Sequence, residues 1–257
     1  MKMLVKMLGG SHSYGLNGPN SDLDYRGVFL NTELRFVLGL DKYEHYELTE
    51  GEDVKYKELR RFLQLLKVSN TEAMEIMFTA PADFLEVDPL FLELQKHKYE
   101  LLDTDRAFKC LCGYMQGEKR LMLGERSGQL GSKRKEALEK FGYSYKNAVQ
   151  LLRLSWAGTV LFKEGIFPVN VVRHDPDFGG ALLDIKRYPQ NYTKEGMSER
   201  VDNAEAELKA AYDNRKFNYK FNQDLANDFV LRAYYPLLRE MYVAVEPFTK
   251  PIASPIL

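Results

Sequence analysis

The apolar positions of this chain change period twice along its length. Residues 3–8 (MLVKML) form an apolar run closed by Gly9 and Gly10, which predicts a short buried strand. Residues 23–30 alternate, with Leu23, Tyr25 and Gly27 on one face and Asp24, Arg26 and Val28 on the other, as a second strand would. Residues 43–48 and 52–56 supply a third and a fourth. Leu59, Phe62, Leu63 and Leu66 then recur at helical spacing, predicting an amphipathic helix over 57–68. Thr71 and Glu75 miss capping-box spacing by one residue, yet Asn70 or Thr71 can still cap a helix over 72–78. Pro81 and Pro89 bracket a connection, and the pattern at 89–102 is helical again.

From about residue 106 the period is almost wholly helical, with helices expected over 106–122, 133–141, 143–164, 195–214 and 222–243. Residues 124–132 (GERSGQLGS) read as a loop. Residues 168–180 read as another, on the strength of Pro168, Pro176, Gly179 and Gly180. Beyond Glu246, Pro247, Pro251 and Pro255 give an extended tail that would lie on the surface of its own chain or a neighbour's. The expected fold class is α+β: a small mixed-sheet domain over 1–105, followed by a helical domain over 106–257 that carries the tail.

Composition narrows the setting. The chain has 257 residues, 45% hydrophobic and 28% charged, enough for a proper core. No apolar run reaches the roughly 18 residues of a membrane span. Lys2 and Lys6 interrupt the first apolar stretch, which reads as a strand and not a secretion signal. Cys110 and Cys112, the two cysteines, lack zinc-site spacing. A reducing cytoplasm is the expected location. The net charge of -1 conceals an asymmetry: residues 1–105 carry 12 Lys and Arg against 19 Asp and Glu, whereas 109–153 carry 10 against 4. Such a division suits an enzyme that holds metal with carboxylates and attracts phosphates with basic side chains, although a solvated helix face would show the same excess.

The candidate chemistry lies in Gly10-Ser11-His12-Ser13-Tyr14-Gly15, followed by Ser21-Asp22-Leu23-Asp24. A strand ending in Gly-Ser before a tight turn or helix exposes N–H groups that can hold a phosphate, and glycine permits its close approach. Two aspartates at i and i+2 on a strand share a face, where they repel unless a cation lies between them, and hard oxygen ligands suit magnesium. Asp53 is the candidate third carboxylate, able to face the pair if its segment is a strand beside 23–30, with Glu50 and Glu52 as rivals. Other motifs fail. Gly10 and Gly15 stand at Walker A spacing, but Leu16 and Asn17 occupy the Lys and Ser/Thr positions. Neither a dinucleotide fingerprint nor a nucleophile elbow is present. His12 reads as a polar turn residue, and none of the four histidines has metal-ligand spacing.

Gly10-Ser11, Gly15 and Ser21-Asp22-Leu23-Asp24-Tyr25-Arg26-Gly27-Val28-Phe29 resemble the DNA polymerase beta nucleotidyltransferase superfamily, and within it the RNA-repair-pathway, or RNA-ligase-associated, branch. Ser13 stands where that branch usually has Ala. Weaker similarity continues at Asp53 to Phe62, Glu72 to Phe78, Gly142 to Leu154 and Leu182 to Lys186. The resemblance implies a polymerase-beta-like palm with an added helical domain, transferring a nucleoside monophosphate from a nucleoside triphosphate and releasing pyrophosphate. It implies two magnesium ions, replaceable by manganese, held by Asp22, Asp24 and Asp53. Gly10, Ser11 and Lys146 would bind the triphosphate. An RNA end is the expected acceptor, held by Arg126, Lys133, Arg134 and Lys135 on or beside the loop at 124–132. The alternatives are adenylylation of a protein hydroxyl and a non-catalytic nucleotide- or RNA-binding module.

Overall fold

A computed structural model describes residues 1–39, 45–48, 53–125 and 132–244, with backbone alone for Leu34, 45–48, Asp53, 132–134 and 241–244. The first part runs β1 (Lys2–Leu8), α1 (Gly10–Ser13), β2 (Asp24–Leu30), α2 (Leu34–Val37), β3 (His45–Leu48), β4 (Asp53–Glu58), α3 (Leu59–Lys67), α4 (Thr71–Phe78), β5 (Phe84–Val87) and α5 (Pro89–Lys96). The five described strands form one mixed sheet in the order β3-β4-β2-β1-β5. β2 and β4 are parallel and in register, Asp24 beside Asp53 and Phe29 beside Glu58, while the other pairs are antiparallel. That register sets the backbone of Asp53 next to that of Asp24.

The helical part comprises α6 (Thr104–Leu123), α7 (Ser132–Phe141), α8 (Tyr145–Glu164), α9 (Val171–His174), α10 (Pro176–Arg187), α11 (Lys194–Asp213) and α12 (Gln223–Ala244). α8 is buried on nearly all sides because α6 and α11 pack along it. Gly158 lets Leu111 and Leu208 close in from either side. One cluster of buried side chains runs from Leu4 and Val5 of β1 through Phe62 and Leu66 of α3 and Leu151 and Leu154 of α8 to Phe229 and Tyr234 of α12.

Local rules explain most boundaries. α3 buries Leu59, Phe62, Leu63 and Leu66, as the spacing predicts, but starts at Leu59 because β4 continues to Glu58. The Glu58 carboxylate caps it from the Arg60 N–H, and Tyr234 of α12 donates to the same carboxylate. Asn70 caps α4 through the Ala73 N–H. Three expectations are corrected. The connection between Pro81 and Pro89 contains β5, which pairs with β1. The helix expected over 89–102 stops at Lys96, and the chain turns so that neighbouring Leu101 and Leu102 both bury. The loop expected over 168–180 is largely helical, forming α9 and the start of α10, because Pro176 takes the first helical position and Asp175 caps it through the Phe178 N–H. The tail beyond 244, Arg126, Glu50 and Glu52 lie outside the described residues.

Candidate active site

β1 ends at Leu8 because Gly9 and Gly10 leave the sheet there, and the Gly9 N–H donates to the Asp24 carbonyl at 2.7 Å. The α1 turn is thus tied to the first residue of β2. Gly10 takes φ +58, and a Cβ there would lie 2.4 Å from Asp24 Oδ2. Only glycine lets the turn approach that carboxylate so closely. Asp22 and Asp24 do not share a strand as an i, i+2 pair would: β2 begins at Asp24, one residue later than expected, and Asp22 lies in the segment before it. A turn in which Gly18 N–H donates to Ser21 Oγ and Ser21 N–H to Gly18 carbonyl sets the approach to it. Asp22 is exposed and Asp24 half-buried. Arg26, further along β2, comes within 3.7 Å of both Asp24 Oδ1 and Glu72 Oε1.

The far side of the turn is anchored to the helical part. Tyr14 packs its ring against Arg153 of α8, whose guanidinium carbon is 3.5 Å from the ring centre. Arg153 donates to Glu75 Oε1 at 2.6 Å, and the Tyr14 hydroxyl donates to Glu75 Oε2 at 2.8 Å. Burial raises the Tyr14 hydroxyl pKa above its ordinary value. The Val171 N–H donates to the Tyr14 carbonyl. Gly15, at φ +73, leaves room for Asn170, which a Cβ would meet at 2.7 Å.

These elements enclose a cleft of about 1080 Å³. Its sheet side carries Gly10, Ser11, Asp22, Asp24 and Arg26. Its helical side carries Tyr114 and Glu118 from α6, Tyr145, Lys146 and Gln150 from α8, and Lys186 and Arg187 from α10. Gly10, Ser11, Asp22, Asp24 and Lys146, five of the residues singled out in the sequence, therefore share one cavity. The backbone of Asp53 adjoins that of Asp24, and its side chain is outside the described set. Among the described side chains, no three of His, Cys, Asp and Glu gather as a metal site. Lys135 is exposed on α7, a helix that adds no residue to the cleft lining among those described. Lys133 and Arg134 share α7, with their side chains undescribed.

Lys186, Arg187, Glu118 and Tyr114 were not selected from the sequence. Lys186 donates to the Leu16 carbonyl at 2.6 Å, and burial, then the charge of Lys146, lowers its pKa below the usual lysine value. Burial, then the charge of Glu118, pushes the Tyr114 hydroxyl up to about 12. The available signals were the basic last turn of α10 and the i,i+4 spacing of Tyr114 and Glu118 on one face of α6.

A mixed sheet carrying a Gly-Ser turn beside a strand-borne aspartate, backed by a helical part, defines a polymerase-beta-like nucleotidyltransferase fold. The chain belongs to the RNA repair pathway DNA polymerase beta family, which it matches over residues 1–221. Among solved structures it is similar to a nucleotidyltransferase-like protein from Exiguobacterium sibiricum 255-15, at 12% identity and a TM-score of 0.30, covering 91% of this chain and 74% of that one. No curated protein matches it. Among the described residues, no helix is long and apolar enough to cross a membrane.

Proposed function

We propose that this chain transfers a nucleoside monophosphate from a nucleoside triphosphate to an acceptor hydroxyl, an RNA end, with release of pyrophosphate. The supporting observation is the joining of the Gly10–Ser11 turn and Asp24 in one cleft, faced by Lys146, Lys186 and Arg187. Exposed N–H groups at such a turn suit phosphate oxygens, and the three basic side chains offset the charge of a polyphosphate.

The residues present fit divalent magnesium. Asp22 and Asp24 offer hard oxygen donors at the cleft, and the close approach permitted by Gly10 keeps the turn against the Asp24 carboxylate. The parallel register supports Asp53 as the third ligand, because its backbone is the immediate neighbour of Asp24's. When bound, magnesium lowers the pKa of an acceptor hydroxyl and neutralises charge on the leaving pyrophosphate. The chain's own residues orient the reaction: Gly10 and Ser11 fix the triphosphate, Lys146 and Lys186 steady its outer phosphates, and the cleft restricts water.

The test is incubation of the full chain with magnesium, labelled nucleoside triphosphates and RNA, alongside Asp22→Asn and Asp24→Asn. The expected result is label joined to RNA by the parent, and loss of at least about a thousandfold of the rate in either variant with an unchanged melting temperature. Transfer at parental rates by both variants overturns the assignment. Label found in protein and never in RNA replaces the acceptor.

A further inference from the structure

Glu118 stands in the cleft as a carboxylate with no basic partner among the described residues. Asn147, 1% exposed, donates from Nδ2 to Glu118 Oε2 at 2.5 Å. Fully buried Ser144 donates in turn to Asn147 Oδ1 at 2.5 Å, which fixes the orientation of the amide. Ser144 precedes α8 without capping it through its side chain, its hydroxyl being engaged with Asn147. The neighbouring Lys119 points elsewhere, to Asp202 and Glu205.

Without a shared cation a carboxylate held this firmly repels a triphosphate, which favours a place outside the phosphate subsite. It can only accept hydrogen bonds, and so it matches a neutral, donor-bearing part of the substrate. Tyr114, one turn earlier on α6, is half-buried in the same wall and brings an aromatic ring to it. A flat aromatic surface next to a fixed acceptor suits a nucleobase. Adenine, cytosine and guanine each carry an exocyclic amino donor. Uracil presents its one N–H between two carbonyl oxygens, which a carboxylate repels.

We propose that Glu118 is a specificity-determining residue that accepts a hydrogen bond from the exocyclic amino group of the nucleobase, selecting amino-bearing nucleotides over uridine nucleotides. The inference deepens the nucleotidyl-transfer reading and rests on it.

Calorimetric titration of the full chain with ATP, CTP, GTP, UTP and inorganic tripolyphosphate in magnesium tests it. The parent should bind at least one amino-bearing nucleotide roughly ten- to hundredfold more tightly than UTP. Glu118→Gln keeps an acceptor for Asn147 and turns an amide N–H₂ toward the cleft, so it should erase or invert that ratio. Tripolyphosphate affinity should not fall, and rises only as far as the loss of one repelling charge allows. An unchanged nucleotide ratio in Glu118→Gln, or a parent preference for UTP, overturns the role of Glu118 while leaving nucleotidyl transfer standing. A folded parent that binds no nucleotide overturns both.

Discussion

Arg153 carries a full charge with none of its surface exposed. A buried charge is tolerated only when paired, and Glu75 supplies the partner at 2.6 Å. Nη1 makes no hydrogen bond among the described residues, and the Tyr14 ring face offsets part of that cost. The three residues come from α8, α4 and the end of the α1 turn, so that turn is braced from behind by an ion pair. Replacing Arg153 by Met should cost about 3–5 kcal/mol, because Glu75 is left charged and unpaired. Tyr14→Phe should cost about 1–3 kcal/mol. Both act through Glu75, so the double variant should lose clearly less than the two losses added together. Urea unfolding of the four proteins measures this, and strictly additive losses would break the proposed link. None of it was visible in the sequence, where Tyr14 is one residue of a turn and Arg153 one of several basic residues in a helical stretch. The pairing depends on a separation of 78 residues, which periodicity does not encode.

α3 follows directly from its helical spacing, burying Leu59, Phe62, Leu63 and Leu66, whereas β2, though a strand as expected, does not divide into a buried and an exposed face, since Gly27 to Leu30 are buried in succession. α10 shows why a later helix was missed. Pro176, Gly179 and Gly180 resemble loop residues, yet Pro176 occupies the first helical position, where no N–H is needed. Gly179 is there for packing, since a Cβ would lie 2.8 Å from the Val172 Cα. With that segment read as a loop and no element assigned over 181–194, Lys186 and Arg187 in the last turn of α10 are not singled out by the pattern. The lowered pKa of Lys186 gives this helix a measurable signature. A lysine whose folded pKa is depressed holds its charge below that pKa and loses it as pH rises, here before the ordinary value near 10.4 is reached. Tripolyphosphate affinity should therefore be full at neutral pH and decline as pH rises through a range below about 10.4. In Lys186→Met the neutral-pH affinity should drop and that decline disappear. An identical pH profile in parent and variant would remove Lys186 from the proposed phosphate subsite.

At the scale of the molecule the sequence divides its charge, acidic before residue 105 and basic over 109–153, and the cleft brings the two together. Lys146 belongs to the basic stretch and lines the cleft, whereas Lys133, Arg134 and Lys135 belong to it and sit on α7. On the proposed function, a nucleotide is small enough to be served by the cleft, but an RNA acceptor would extend beyond it, where the acidic half opposes it. The basic residues of α7 are suited to offset that repulsion. RNA binding should then weaken steeply with salt, since each phosphate neutralised releases condensed counterions. Replacing Lys133, Arg134 and Lys135 together by Ala should weaken RNA binding and lower the slope of log affinity against log salt by about 2, on roughly 0.7 per single-strand contact. Nucleotide binding should stay at the parental value, because the described lining of the cleft contains none of the three. Fluorescence anisotropy of labelled RNA across a salt series, with calorimetry for the nucleotide, separates the two effects. If the slope is unchanged, α7 merely presents solvated charge and the acceptor crosses another surface. If nucleotide affinity falls in step with RNA affinity, the substitutions have disturbed the cleft itself, and α7 loses its assignment as a separate acceptor surface.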